Sequence, residues 1–503
     1  YVDAIKSDVT WLGFKWDGEV RYTSDYFQQL YDWAVQIVRD GNAYVDSLSE
    51  EEIREYRGTV REPGRPSPHR DRSVEENLAL LEGMRKGEFP EGAHVLRAKG
   101  DLASPNMKLR DPLMYRILHQ THDRTGSDWF IYPMYDYAHG LSDAIEGITH
   151  SICTLEFDNN RALYDLFLDL VGFDPQTRPH QYEMARLALP YTMMSKRKLR
   201  KCVEDGLVAG WDDPRMPTLS ALRRRGVRPE AVRAFIESLG VAKTNSLFPY
   251  ERFDAAIRDD LEPIAPRVMG VVDPVRLVIE NYPEGESESF DLPHHPTVDM
   301  GSRAVPFSRE LFIERSDFAA EPPAKWKRLA PGWEVRLRGA CFVTCTGVET
   351  DGDRVTTIRC TWDPATRGGD APDGRRPKGT IHWVDATAGV PVELRLYDRL
   401  FATENPDDGD FRANVNPDSL RIVRGVVEPA AIGLERVQFE RTGFFFKDPG
   451  ADAFNRIVGL RDSFKPKAKA PAKTAKAKSK PKTVSGPAKA AELTAAEEAL
   501  LAG

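Results

Sequence analysis

Tyr191-Thr192-Met193-Met194-Ser195-Lys196-Arg197-Lys198-Leu199 is the stretch from which the rest of this chain is best read. A hydroxyl is followed at once by three cations, after a run of small and apolar residues. Read as a loop, the segment presents mobile positive charge to a polyphosphate. Such charge works best where negative charge develops during a reaction. Taken alone it reads more readily as a solvated basic turn, so its meaning depends on what flanks it.

Upstream, residues 131–161 hold Tyr132, Tyr135, Asp136, His139, Asp143, His150 and Thr154 in a mostly apolar setting. Phenols, carboxylates and imidazoles this close need partners when buried. A polar small-molecule pocket and a satisfied core network both supply them. Short apolar runs alternate here with helix-like pieces, the pattern of an α/β layer. Further upstream, Val2, Ile5, Val9 and Leu12 fall at helical spacing, and residues 24–40 predict a second amphipathic helix capped by Ser24. Ser49 with Glu52 and Ser73 with Glu76 have capping-box spacing. Between them lies a loop rich in Pro, Gly and Arg, Gly58 to Arg72.

Downstream, residues 217–240 predict two helices, one from Thr218 to the Arg223-Arg224-Arg225-Gly226 stop, the other from Pro229 to Gly240. Beyond about residue 263 helical periodicity fades. Val335, Leu337, Cys341, Val343 and Cys345 form an alternating run that places Arg336 and Arg338 on one strand face. Asp351-Gly352 marks a turn, and another strand follows through Cys360. Many short strands without intervening helices predict barrels or sandwiches. The stretch 465–489 is rich in Lys, Ala and Pro and predicts disorder, with one short helix from Glu492 to Leu501.

At 503 residues the chain should form several domains. No apolar run has membrane-spanning length, and the first residues lack a signal-peptide pattern, so a cytoplasmic enzyme with no membrane contact is expected. Five scattered cysteines do not read as a disulfide framework, and Cys341 with Cys345 reads as two packed thiols rather than a metal site, so no metal ligands are expected. Net charge is −8. Nine of the 70 basic and three of the 78 acidic residues fall in 465–503, leaving −14 on the rest. Contact with a nucleic acid then needs local basic surfaces rather than a global field. Arg57 to Arg72, Arg223–Arg225 and the scattered arginines of the β-rich half are the candidates. There is no G-x-G-x-x-G fingerprint, no complete Walker A sequence and no nucleophile elbow.

Five phrases together resemble the glutaminyl-tRNA synthetase family, within the class I aminoacyl-tRNA synthetases. They are Tyr-Pro-Met-Tyr-Asp (132–136), Glu-Gly-Ile-Thr-His-Ser (146–151), Cys-Thr-Leu-Glu-Phe (153–157), Met-Ser-Lys-Arg-Lys-Leu (194–199) and Gly-Trp-Asp-Asp-Pro-Arg-Met-Pro-Thr (210–218). Arg-Leu-Tyr-Asp-Arg-Leu-Phe (395–401) and Gln-Phe-Glu-Arg (438–441) extend the likeness through about residue 464. The resemblance implies a multidomain α/β plus β chain. An incomplete Rossmann-type catalytic core would span 1–22 and 134–184, with an acceptor-stem-binding domain inserted at 23–133. A signature-loop and helical subdomain would follow at 185–262, two anticodon-binding β-barrels at 263–464 and the tail at 465–503.

The same resemblance implies ATP-dependent formation of glutaminyl adenylate, then transfer of glutamine to tRNA(Gln), with ATP and Mg2+ and a monomeric enzyme. Met194, Ser195 and Lys196 would form the catalytic signature loop. Thr154, Arg186 and Leu187 would line the ATP site with them. Tyr135, His139 and Gln181 would meet glutamine. Val60, where the family has a Leu wedge, Asn159, where a member has an Asp, and Lys243 would meet the tRNA. So would Arg267, Lys327, Arg328, Arg338, Gln438 and Arg441 in the barrels. The family's His-Ile-Gly-His-type signature and its early Arg and Asp contacts to glutamine do not occur. The expectation is therefore a fragment of a larger protein, inactive in adenylate formation by itself. Two alternatives stand beside this reading: a glutamyl-tRNA synthetase with barrel-type anticodon domains, and a non-catalytic tRNA-binding module.

Overall fold

The structure is a computed structural model that describes residues 1–461 and 464; the basic tail and the helix expected at Glu492–Leu501 lie outside the described residues. The chain divides into two compact units. One comprises Trp16–Leu187 with Val241–Ser246, the other Tyr1–Lys15, Ala188–Gly240 and the described residues from Leu247 on. Among the described residues no helix is long and apolar enough to cross a membrane.

The Trp16–Leu187 unit is α/β. A four-stranded antiparallel sheet runs in chain order through Ala43–Asp46, Val95–Ala98, Leu113–Ile117 and Ile131–Pro133. The Phe27–Arg39 helix packs its Leu30, Ala34, Ile37 and Val38 face into the core with Leu96, Tyr115 and Tyr137. Ser24 does not cap this helix. A 3-10 turn, Thr23–Tyr26, precedes it, and Asp25 accepts the Tyr22 backbone N–H instead. The Ser49–Glu52 capping box forms in full, whereas at Ser73 only the serine half is made. Glu76 is drawn to Arg72. Beyond the sheet, His150–Thr154, the Arg161–Val171 helix and His180–Met184 form a βαβ unit with a parallel strand pair.

The second unit begins with helices and ends in β-structure. Leu219–Arg225 and Pro229–Leu239 form where the caps predict them, the first under Thr218 and stopped by Gly226 at φ 100°. Two seven-stranded sheets follow. In the first the order is Thr380–Ile381, Glu334–Leu337, Phe342–Asp351, Arg354–Asp363, Pro274–Ile279, Glu310–Glu314 and Trp383–Asp385. Its two edge strands are consecutive in the chain, separated by His382 alone, so the sheet curls until its edges nearly meet. The second sheet does the same: its edges, Arg267–Val268 and Gly270–Val271, flank Met269. A nearly closed sheet leaves little open edge. Apolar side chains from alternate positions, such as Val275, Leu277 and Ile279, fill the interior.

Val335 to Cys345 is a hairpin, Glu334–Leu337 and Phe342–Asp351, rather than one strand. Gly339 at φ 70° turns the chain between them. Apolar alternation runs on through the turn because its Ala340 and Cys341 are also buried. Arg336 therefore lies on a strand and Arg338 beyond its end.

Candidate functional site

In the first unit the chemistry gathers on one face of the Tyr135–Glu146 helix. Tyr135, His139 and Asp143 are four residues apart and form a stripe. The Tyr135 ring stacks on His139 with centroids 5.0 Å apart. His139 Nε2 lies 3.0 Å from Ser151 Oγ and 3.3 Å from Asp143 Oδ2. Tyr164 donates its hydroxyl to the same Asp143 oxygen at 2.9 Å. Gly140 lets this happen: a Cβ there would stand 3.1 Å from the Tyr164 ring. Desolvation, with the Cys153 thiol beside it, pushes the Tyr135 phenol up to about 12. Tyr135 is nonetheless 52% exposed. The cluster thus offers a neutral phenol on the outer side and keeps its one carboxylate occupied within. Asp143 follows from helical spacing, but Ser151 and Tyr164 come from other elements, and no sequence signal pointed to Tyr164.

The other predicted residues of this unit sit differently. Gln181 is buried, and its amide nitrogen is already donated to the Phe157 carbonyl and to Glu183. Thr154 closes its strand half-buried. Arg186 is exposed and paired with Glu156 at 2.7 Å, with its backbone N–H on Asn245 Oδ1, while Leu187 and Lys243 are half-buried. Asn159 is exposed. Val60 is 75% exposed at the tip of a loop that is held from beneath. The buried Arg110 donates one Nη to the carbonyls of Arg57, Thr59 and Glu62, each at 2.9 Å, and Nε to that of Ser104. A Cβ on Gly58 would collide with the Glu62 and Pro63 carbonyls at 2.6 Å.

In the second unit the basic stretch is not a loop. Ser195 is extended, and a helix runs from Lys196 to Glu204, because Leu199 and Cys202 give it an apolar face to bury. The cations line its first turn. Met194 and Lys196 are exposed, and the Lys196 ammonium rests over the Tyr1 ring, 4.6 Å from the centroid. Of the three expected loop residues, Met194 and Ser195 precede the helix and Lys196 opens its first turn.

The barrel arginines are not loose surface charge. Arg267 pairs with Glu262, and Arg338 with Glu440 at 3.3 Å. Arg267, Arg303, Arg336, Arg338 and Glu440 line one cleft of about 300 Å³. Gln438 is buried, and its Oε1 has no hydrogen-bond partner among the described residues. Arg441 grips the buried Asp317 with both terminal nitrogens, and Arg328 Nε lies 3.2 Å from that carboxylate. Lys327 is exposed. Asp317, Glu314 and His382, which organise this junction, were not singled out by sequence reasoning.

An α/β unit, a helical segment and two nearly closed barrels agree with three family matches. The class I (E and Q) tRNA synthetase catalytic domain matches residues 1–263. The anticodon-binding domain of the same group matches residues 265–363, and its second anticodon-binding domain residues 380–448. The chain belongs to the class I tRNA synthetases of the glutamate and glutamine group. Among its relatives, a glutamine–tRNA ligase from Nitrobacter hamburgensis is 56% identical over 92% of this chain and 84% of its own length. Glutamine–tRNA ligases from Bradyrhizobium diazoefficiens and Vibrio parahaemolyticus are 53% and 55% identical, each over 92% of this chain and 85% of theirs. A solved glutamate tRNA ligase from Elizabethkingia meningosepticum gives a TM-score of 0.36 at 19% identity over 52% of this chain and 60% of its own, too distant to add to the assignment.

Proposed function

We propose that the protein joins glutamine to its tRNA at the expense of ATP, by way of glutaminyl adenylate. The observation that carries this is the identity of 53–56% with glutamine–tRNA ligases along 92% of the chain. The character of the Tyr135 cluster agrees with it. A carboxamide is an uncharged donor and acceptor, and a phenol held neutral can meet it. A site that hydrogen-bonds its ligand rejects analogues strongly, because its own groups are left unpaired.

In this reading Tyr135 and His139 contact glutamine. Gln181, with its nitrogen turned inward, supports Phe157 and Glu183 and offers only its oxygen. Thr154, Arg186 and Leu187 form one side of an ATP site in the nucleotide-binding fold, and ATP enters as a substrate with Mg2+. Met194, Ser195 and Lys196 form the signature element. The Lys196 ammonium stabilises charge on the phosphates as the α-phosphorus is attacked. Positioning and charge do most of the work, since little covalent chemistry falls to the protein. Val60 and Asn159 face the acceptor end of the tRNA, and Lys243 meets the tRNA as well. Arg267, Lys327, Arg328, Arg338, Gln438 and Arg441 face the anticodon.

Charging assays on the natural full-length protein, with glutamine and glutamate offered separately, test the proposal. Glutamine should be transferred to tRNA(Gln) and glutamate should not. Equal transfer of glutamate would favour the glutamyl alternative, and no transfer of either would favour a binding module.

A further inference from the structure

Asp317 is 1% exposed, yet it receives two guanidiniums. Arg441 donates to Oδ1 at 2.8 Å and to Oδ2 at 2.5 Å. Arg328 Nε is 3.2 Å from Oδ1, and its Nη1 donates to the Ser316 carbonyl. The main chain reinforces the arrangement, because Leu329, next to Arg328, donates its N–H to the Asp317 carbonyl. Arg441 itself sits at φ 63°, a conformation that a non-glycine residue keeps only when its surroundings hold it. Asp317 and Arg328 belong to the first anticodon-binding domain, Arg441 to the second. The side chains of the two arginines remain 40% and 29% exposed, so each has one side fixed and another open.

Around them the junction is closed by other charged groups. His382, the single residue joining the two edge strands of the first barrel, puts Nδ1 3.3 Å from Arg441 Nη1. Its Nε2 faces Glu314 at 3.6 Å, and Glu314 accepts the N–H groups of Val272 and Asp273. Neither guanidinium can shift without disturbing the carboxylate that holds the other.

We infer that Asp317 is a positioning residue for anticodon reading. It sets Arg328 and Arg441 as one rigid pair, so that the anticodon positions the two arginines meet are read jointly and not independently. The inference rests on the reading that these two arginines contact the anticodon. It adds that their contributions are coupled through a residue that touches no nucleotide.

The test uses the natural full-length protein and tRNA(Gln) transcripts substituted singly at each anticodon position. The ratio of kcat/KM for the parent tRNA over each substituted one is measured for the unsubstituted protein and for R328A, R441A and D317N. R328A and R441A should each lower the ratio by about tenfold or more at their own position and, through the shared Asp317, to a lesser degree at the other's. D317N should lower it at both. A D317N protein with unaltered ratios, or one that charges every tRNA more slowly by the same factor, overturns the inference. Failure of R328A and R441A to change any ratio overturns the underlying contact reading and the inference with it. Should D317N not fold, the R328A/R441A double variant decides: a combined loss smaller than the product of the single losses supports coupling, and a full product overturns it.

Discussion

Near Tyr135 and at the barrel junction, one carboxylate is shared among several partners, and the partners differ in kind. Asp143 serves a phenol and an imidazole, beside a serine hydroxyl; Asp317 serves two guanidiniums. The first arrangement presents a phenol held neutral, suited to an uncharged side chain such as a carboxamide. The second presents cations whose geometry is fixed in advance, suited to an RNA, where loose positive charge gives affinity and fixed guanidiniums give selectivity. If these arginines read the tRNA as proposed, their pairing reconciles that role with a net charge of −8: the cations are placed, not merely numerous.

Lys196 fits neither pattern, and it bears the largest expected effect. Among its described contacts it rests on an aromatic ring rather than a carboxylate. If it acts on the phosphates, K196A should lower kcat/KM for charging by about 10²- to 10³-fold, while anticodon ratios stay as they were. A variant with normal turnover would make Lys196 an ordinary surface cation and leave the reaction without its proposed charge stabiliser.

Breaking the two carboxylate clusters should have unequal costs. R441A leaves the buried Asp317 with Arg328 alone and should destabilise the protein by about 3 kcal/mol. D143N keeps its size and partners in a partly open site and should cost about 1 kcal/mol. Urea denaturation of each variant measures both values. Equal losses would mean that the clusters differ in composition but not in the way they hold the fold. Y135F, which removes only a hydroxyl, should lower kcat/KM for glutamine by about tenfold and change stability little.

The smallest effect is on pH dependence. The Tyr135 phenol ionises at about 12 in the folded chain, above its ordinary value of 10.0. Its contribution to stability is therefore fully present below pH 10 and lost as pH rises through 12, because the unfolded phenol ionises first. Denaturation midpoints between those values should fall less steeply for Y135F than for the parent. Parallel curves would show that Tyr135 is not the neutral donor on which the comparison depends.

Much of the fold was legible where a local rule decides the structure. Thr218 with Gly226 and Pro229 with Gly240 bound two helices as read, since caps and stops act within a few residues. The hairpin at Gly339 was hidden because buried residues continue through its turn. Barrel closure was hidden because it depends on edge strands of two or three residues, such as Thr380–Ile381 and Gly270–Val271, too short to show a period. The basic stretch reads as a loop in sequence because its cations outweigh Leu199 and Cys202, the buried residues of that helix. Of the candidate site, the Tyr135–His139–Asp143 stripe follows from helical spacing. The Asp317–Arg441 pair spans 124 residues, and no spacing rule reaches that far.

If amino-acid choice and tRNA choice are set by two separate arrangements, one matrix of measurements shows it. For Y135F and R441A in the natural full-length protein, two ratios are determined: kcat/KM for glutamine over glutamate, and for parent tRNA over anticodon-substituted tRNA. Y135F should lower the first ratio alone, and R441A the second alone. If either substitution lowers both ratios to a similar degree, the division is contradicted.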